Sequence, residues 1–246
     1  MSGRSGSLTI VGTGLRPGHL TRESLAEIEA ADELFHLASE PVLAAWLETL
    51  HPRATSLQPH YVAGVERAST YEAIVEAILA PARGGSRVAA AFYGHPGVFV
   101  TPSHAAVARA GTEGIPVRML PAVSAEDCLF ADLGIDPGRS GCQSYEASYF
   151  LERRPPLDTY AHVLLWQISV VGERRAVAEP RRDGLVGLTR ALLEHYAPEH
   201  VVVVYEASPY PLVEPLADRI PLRDLPEHEV NPMATLVVPP AERGLS

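Results

Sequence analysis

Phe92-Tyr93-Gly94-His95-Pro96-Gly97-Val98-Phe99 decides the fold of this chain. It closes Arg87 to Phe92, a near-continuous apolar run of the kind expected of a strand covered on both faces. Gly94, Pro96 and Gly97 then make a rigid loop that a ligand can approach closely, and Tyr93 and His95 carry polar rings within it. Open α/β sheets bind ligands beyond the carboxyl ends of their strands, so the stretch reads as a functional loop.

Outward from that loop, short apolar runs alternate with helical patterns. Strands are expected at Leu8 to Val11, Glu33 to Leu37, Val117 to Leu120, Gln143 to Glu146, His162 to Gln167, Val201 to Tyr205 and Thr235 to Val238. Helices are expected at Thr21 to Ala31, Pro41 to Leu50, Val65 to Ala80, His104 to Ala110, Ser124 to Asp132 and Leu185 to His195. Ser124 and Asp127 have the spacing of a capping box. Glu152 to Asp158, and Gly172 to Gly184 with its arginine cluster, read as surface loops. The fold class is α/β, with a domain boundary expected near Pro121: residues 1–120 form an N-terminal α/β domain and 121–246 a C-terminal one.

Composition narrows the function. The 246 residues are 46% hydrophobic, with a formal net charge of −10, which disfavours nucleic acid as a partner. No apolar run reaches the ~18 residues of a membrane span, and the polar start lacks signal-peptide character, so a cytoplasmic protein is expected. All 20 basic residues are arginine, which excludes Schiff-base and lysine-nucleophile chemistry. Cys128 and Cys142 lack metal-ligand spacing; they read as reduced thiols, and no metal is expected.

Three further constellations have two readings each. Gly12-Thr13-Gly14 follows a strand, but Pro17 stands where a dinucleotide fingerprint needs its third glycine, so it is a tight turn or a turn lining a cofactor. Pro121 to Asp127 is a capped helix start, or one whose free N–H groups meet a ligand. Arg67 and Tyr71 share a helix face, and Tyr61 could fold back onto them from the preceding loop. Alone, these are an exposed arginine and two packed tyrosines; together they could abstract a proton beside an oxyanion-stabilising cation.

Tyr93 to Phe99, Met119 to Leu133, Ile135-Asp136-Pro137, Gly141-Cys142 and Tyr145 to Ser148 resemble the borosin peptide α-N-methyltransferases, the omphalotin-type enzymes. The resemblance runs from Leu8 to the ending Ala234 to Pro240. It implies the two-domain tetrapyrrole-methylase (class III) methyltransferase fold, S-adenosylmethionine as cofactor, a homodimer and a peptide substrate. It implies Tyr61, Arg67, Tyr71 and Tyr93 as catalytic residues. Tyr93, His95, Val98, Ser124, Ala125, Gln167, Ala207, Ala234 and Thr235 fall on cofactor positions, to which the Gly12 turn is added.

The chain stops six residues after Pro240, so the expected substrate is a separate precursor peptide, as in the split form of the family. Tyr149, Trp166 and Ile168-Ser169 depart from the family pattern and bear on peptide selectivity. Two rivals remain. A tetrapyrrole or other small-molecule methyltransferase on this fold would carry Gly-Asp-Pro at Gly94-His95-Pro96 and lack the Tyr61, Arg67 and Tyr71 set. A peptide-binding partner without catalysis would not need that set at all.

Overall fold

The computed structural model describes residues 5–38, 40–62, 64–172 and 182–241. The chain divides into two compact units, Met1–Asp127 with Pro209–Pro211, and Cys128–Ser208 with Leu212–Ser246.

The first unit contains β1 (Ser7–Gly12), α1 (Arg22–Ala30), β2 (Glu33–Leu37), α2 (Pro41–Leu50), β3 (Ala54–Ser56), α3 (Arg67–Arg83), β4 (Arg87–Phe92), α4 (Thr101–Thr112) and β5 (Val117–Met119). Its five strands are parallel, in the order β3-β2-β4-β1-β5. Alternation across the pleat explains the apolar run of β4. Val88, Ala90 and Phe92 pack with Ile74, Val75 and Ile78 of α3 and Ala106 and Ala110 of α4. Ala89 and Ala91 face the other way, with Val11, Leu34 and Ile28 of α1. Each fully buried aliphatic or Phe side chain contributes about 1.5–3 kcal/mol by leaving water.

This order places a functional crevice. After β1 the chain runs through α1 on one face to β2; after β4 it runs through α4 on the other face to β5. The neighbours β1 and β4 thus send their connections to opposite faces, which opens a crevice beyond their carboxyl ends. Gly12-Thr13-Gly14 and the Tyr93 to Val98 loop both lie there.

The chain continues through α5 (Ala125–Leu133), the one-turn helix α6 (Pro137–Ser140), β6 (Cys142–Glu146), α7 (Ala147–Arg153), β7 (His162–Trp166), α8 (Arg182–Leu193), β8 (Val201–Glu206), β9 (Leu216–Pro221) and β10 (Thr235–Val238). The second sheet has the order β6-β7-β10-β8-β9, with β6 parallel to β7 and the other pairings antiparallel. One face, with Val163, Leu165, Val202, Val204, Leu236 and Val238, packs against Phe150 of α7, Leu188 and Leu192 of α8, and Leu222 and Leu225.

The α/β reading holds, with corrections in detail. The helix expected at His104 to Ala110 runs Thr101–Thr112, and the one at Val65 to Ala80 runs Arg67–Arg83. The loop expected from Glu152 begins inside α7, whose start is fixed by the Glu146 carboxylate accepting from Tyr149 N at 2.7 Å. In the loop expected at Gly172 to Gly184, residues 173–181 lie outside those described, and α8 already starts at Arg182. Strands β3 and β9 were not expected. Among the described residues no helix is long and apolar enough to cross a membrane, and no group of His, Cys, Asp and Glu has a metal-holding arrangement.

Candidate active site

Three loops meet beyond β1, β4 and β5. Gly14 N donates to Gly94 O at 3.2 Å, and Gly94 N returns a bond to Gly14 O at 3.0 Å. Both glycines have positive φ, 63° and 71°, which side-chain-bearing residues rarely adopt. A Cβ on Gly12 would come within 2.4 Å of Gly94 O, 2.5 Å of Ala122 Cβ and 2.6 Å of Pro96 Cδ. Only glycine lets these loops close on one another. A Cβ on Gly94, in contrast, would meet nothing within 4 Å, so this loop offers bare backbone to an open side.

The Tyr93 to Phe99 loop is held from within. Gly97 N donates to His95 Nδ1 at 3.0 Å, which makes Nδ1 the acceptor and leaves Nε2 as the N–H. Ser103, fully buried at the start of α4, has its hydroxyl against Pro96 O and 2.7 Å from Val100 O. His104 Nε2 lies 3.0 Å from Gly97 O. Neither Ser103 nor His104 stood out in the sequence; a polar pair in the first turn after the loop was the available signal. Phe99 ends the loop at φ 55°, a strained conformation for a non-glycine residue. On the third loop, Ser124 and Asp127 form the expected capping box. Asp127 Oδ2 accepts from Ser124 N and Oγ, both at 2.7 Å, and Asp127 N donates to Ser124 Oγ at 3.1 Å.

Tyr61, Arg67 and Tyr71 converge. A 3-10 turn at Gln58–His60 hands the chain to Tyr61, whose ring sits edge-on to Tyr71 with centroids 6.4 Å apart. Burial, together with the Tyr71 phenol, pushes the Tyr61 hydroxyl up to about 12, against the opposing pull of the Arg67 guanidinium. Arg67, the first residue of α3, and Tyr71, one turn on, are both half-buried. Tyr93 lies on a different cluster, packed with Ala38, Leu43 and Leu47.

In the second unit, Gln167 follows β7 at φ 59°, another strained non-glycine position at a strand's carboxyl end. The register pairs Leu165 and Val204 with Leu236 from opposite sides. Gln167 and Ala234 lie two residues beyond these pairs, just past the carboxyl end of β7 and just before β10. Ala234 and Thr235 are buried, and Ala207 half-buried. Ser169 Oγ donates to Pro232 O at 2.9 Å, tying the β7 exit to the loop before β10.

Comparison with known proteins agrees with this architecture. Residues 7–209 match the family of tetrapyrrole (corrin/porphyrin) methylases. A methyltransferase/ribosomally synthesized cyclic peptide gymnopeptides precursor from Gymnopus fusipes is 40% identical over 245 residues, covering 97% of this chain and 58% of the relative. The corresponding omphalotin A precursor from Omphalotus olearius is 41% identical over 253 residues, covering 99% of this chain and 60% of the relative. The chain therefore spans about three fifths of the length of these curated relatives. Among solved structures, uroporphyrin-III-C-methyltransferase from Thermus thermophilus superposes with TM-score 0.68 at 22% identity over 96% of this chain and 93% of that one. A cobalt precorrin-4 methyltransferase gives 0.69 at 16% identity, covering 97% of each chain. The match across both units, with the doubly covered parallel sheet and its carboxyl-end loops, means that the chain belongs to the tetrapyrrole methylase family and has its methyltransferase fold.

Proposed function

We propose that the protein is an S-adenosylmethionine-dependent methyltransferase that methylates backbone amide nitrogens of a peptide supplied as a separate chain. The observation that carries this reading is the convergence of Tyr61, Arg67 and Tyr71, a set that small-molecule methylation on this fold does not call for. The borosin-type precursors at about 40% identity support it.

The residues present suit the cofactor. Gly12, Gly94 and Ala122 keep the carboxyl-end loops low, with open space over Gly94, and Ala125 at the start of α5 lies on the third of these loops. His95, Ser124 and the backbone of Val98 would hold it from the N-terminal half. Gln167, Ala207, Ala234 and Thr235 would contribute from the second unit. When bound, the cofactor supplies a methyl group already activated by its sulfonium.

The protein must supply the nucleophile. An amide nitrogen is weak because its lone pair is delocalised into the carbonyl. Arg67 stabilises negative charge on the amide oxygen, as an oxyanion hole does. Tyr71 receives the amide proton. Tyr61, whose burial keeps it a neutral phenol, donates to the Tyr71 oxygen and holds it in place. Tyr93 lines the side from which the methyl approaches. We propose a homodimer as the working form.

The test is direct: the protein is incubated with cofactor and a short candidate precursor peptide, and the product is sequenced by mass spectrometry. Successive +14 Da steps on backbone nitrogens are expected. Methylation of a tetrapyrrole with none of the peptide would defeat the proposal.

A further inference from the structure

Glu206 closes β8, directly before Ala207. Its Oε2 is buried and has no hydrogen-bond partner among the described residues. A buried oxygen of a carboxylate is costly to leave unpaired, more so than any neutral acceptor. Such a group is retained where something outside the chain pairs with it.

Its position says what that partner is. Side chains alternate along β8: Val202 and Val204 face the helices, so Glu206 continues their face and not that of Val203 and Tyr205. Thr235 pairs with Tyr205, and Leu236 with both Val204 and Leu165. Extending the β8 register one residue past Thr235–Tyr205 puts Glu206 opposite Ala234, and two residues past Leu236–Leu165 the β7 register reaches Gln167, at the carboxyl ends of β7 and β8. Gln167, in the left-handed conformation, and Ala234 are two of the residues assigned above to the cofactor. The loops on either side are anchored by other groups, Ser169 Oγ to Pro232 O and Ala234 N to Asn231 O at 3.0 Å, so the carboxylate is not spent on holding them.

We propose that Glu206 is a cofactor-binding residue, its carboxylate accepting a hydrogen bond from an O–H or N–H donor of the bound S-adenosyl group. The inference rests on the cofactor reading above. Three parts of the ligand carry such donors: the ribose diol, the adenine amino group and the amino-acid ammonium. An acceptor-only side chain suits any of them.

Binding is measured by calorimetry on the full-length protein, without turnover, for Glu206→Gln and Glu206→Leu. The probes are S-adenosylhomocysteine and 5′-methylthioadenosine, which keeps the ribose but lacks the ammonium. The Leu variant should bind S-adenosylhomocysteine at least about 10-fold more weakly, the size expected for losing a hydrogen bond to a charged group. A matching loss for methylthioadenosine places the donor on the nucleoside; a loss for S-adenosylhomocysteine alone places it on the ammonium. The ligand-free melting temperature gives a second reading: removing an unpaired buried carboxylate should leave it unchanged or higher. Wild-type affinity in both variants, or a ligand-free protein destabilised by the Leu substitution, overturns the role of Glu206 and leaves the cofactor reading intact. Absence of S-adenosylhomocysteine binding by the wild type overturns both.

Discussion

Arg67 and Tyr71 stand one turn apart on α3, and Tyr61 is pressed against the same turn by burial that outweighs the arginine's charge. A phenol raised to about 12 is a poor base near neutrality, which fits the proposed division of labour in which Tyr61 donates and Tyr71 accepts. Arg67→Lys keeps the charge but loses the planar fork of donors. Turnover should fall by about 100-fold or more, the cost of losing one oxyanion donor, while S-adenosylhomocysteine affinity stays at the wild-type value. Turnover within a few-fold of wild type would remove Arg67 from the mechanism. Gly12 makes a different prediction, because nothing about it is chemical. Its Cβ position is occupied from three sides by Gly94, Ala122 and Pro96. Gly12→Ala must push two loops apart, costing about 1–3 kcal/mol as overpacking does. For a domain-sized protein each kcal/mol moves the melting temperature by about 2–4 °C. An unchanged melting temperature would show that the loops yield freely.

At the scale of elements, the start of α5 is the clearest case of a local signal with a local consequence. Ser124 and Asp127 satisfy each other's backbone N–H groups, so each substitution by alanine removes one half of the box together with the side-chain bond the two residues share. Each should cost about 1 kcal/mol, and the double variant less than the sum of the two, since both single variants already lose the shared Oγ–Oδ2 bond. Additive losses in thermal unfolding would argue that the two residues act separately. Asp127→Ala also keeps the Ser124 hydroxyl, so it separates helix capping from any contact Ser124 makes with the cofactor. The elements that escaped the sequence share a physical cause. Strand β4 is legible because both faces are buried and its apolar run, Val88 to Phe92, is unbroken. Strands β3 and β9 are edges; β3 is three residues long, and β9, with Asp218 and Arg219, is largely exposed. Their hydrophobic pattern is weak: Ala54 of β3 and Ile220 of β9 pack against the core, but the alternating apolar run of a central strand is missing. The candidate site divides in the same way. Arg67 and Tyr71 are readable as a helical spacing, and Ser124 with Asp127 as a cap, since both are local. Glu206 is not, because its row with Ala234 and Gln167 exists only through long-range strand register.

For the whole molecule, the balance of charge and buried imidazole sets an acid limit. His36 lies on β2 of the first sheet, fully buried, with neither ring nitrogen hydrogen-bonded among the described residues. Its nearest charge is the exposed Glu48 carboxylate, 3.6 Å from Nε2. Burial lowers its pKa more than Glu48 raises it, and burial likewise lowers those of His19 and His162. In the unfolded chain these rings take up protons near 6.5, whereas the folded chain resists. The unfolded state therefore binds more protons below that point. The contribution of each histidine is complete above 6.5 and is lost as pH falls from there through the folded-state value, at up to about 1.4 kcal/mol per pH unit per group. Against this, acid reduces the net charge of −10 and with it the self-repulsion, a diffuse and salt-screened effect. The buried rings should dominate. The urea midpoint should be level above pH 7 and fall steadily between 6.5 and 5, and His36→Phe, which fills the site without a titrating group, should flatten that fall. A stability rising towards pH 5, or a His36→Phe profile parallel to the wild type, would mean that His36 is already satisfied in the fold.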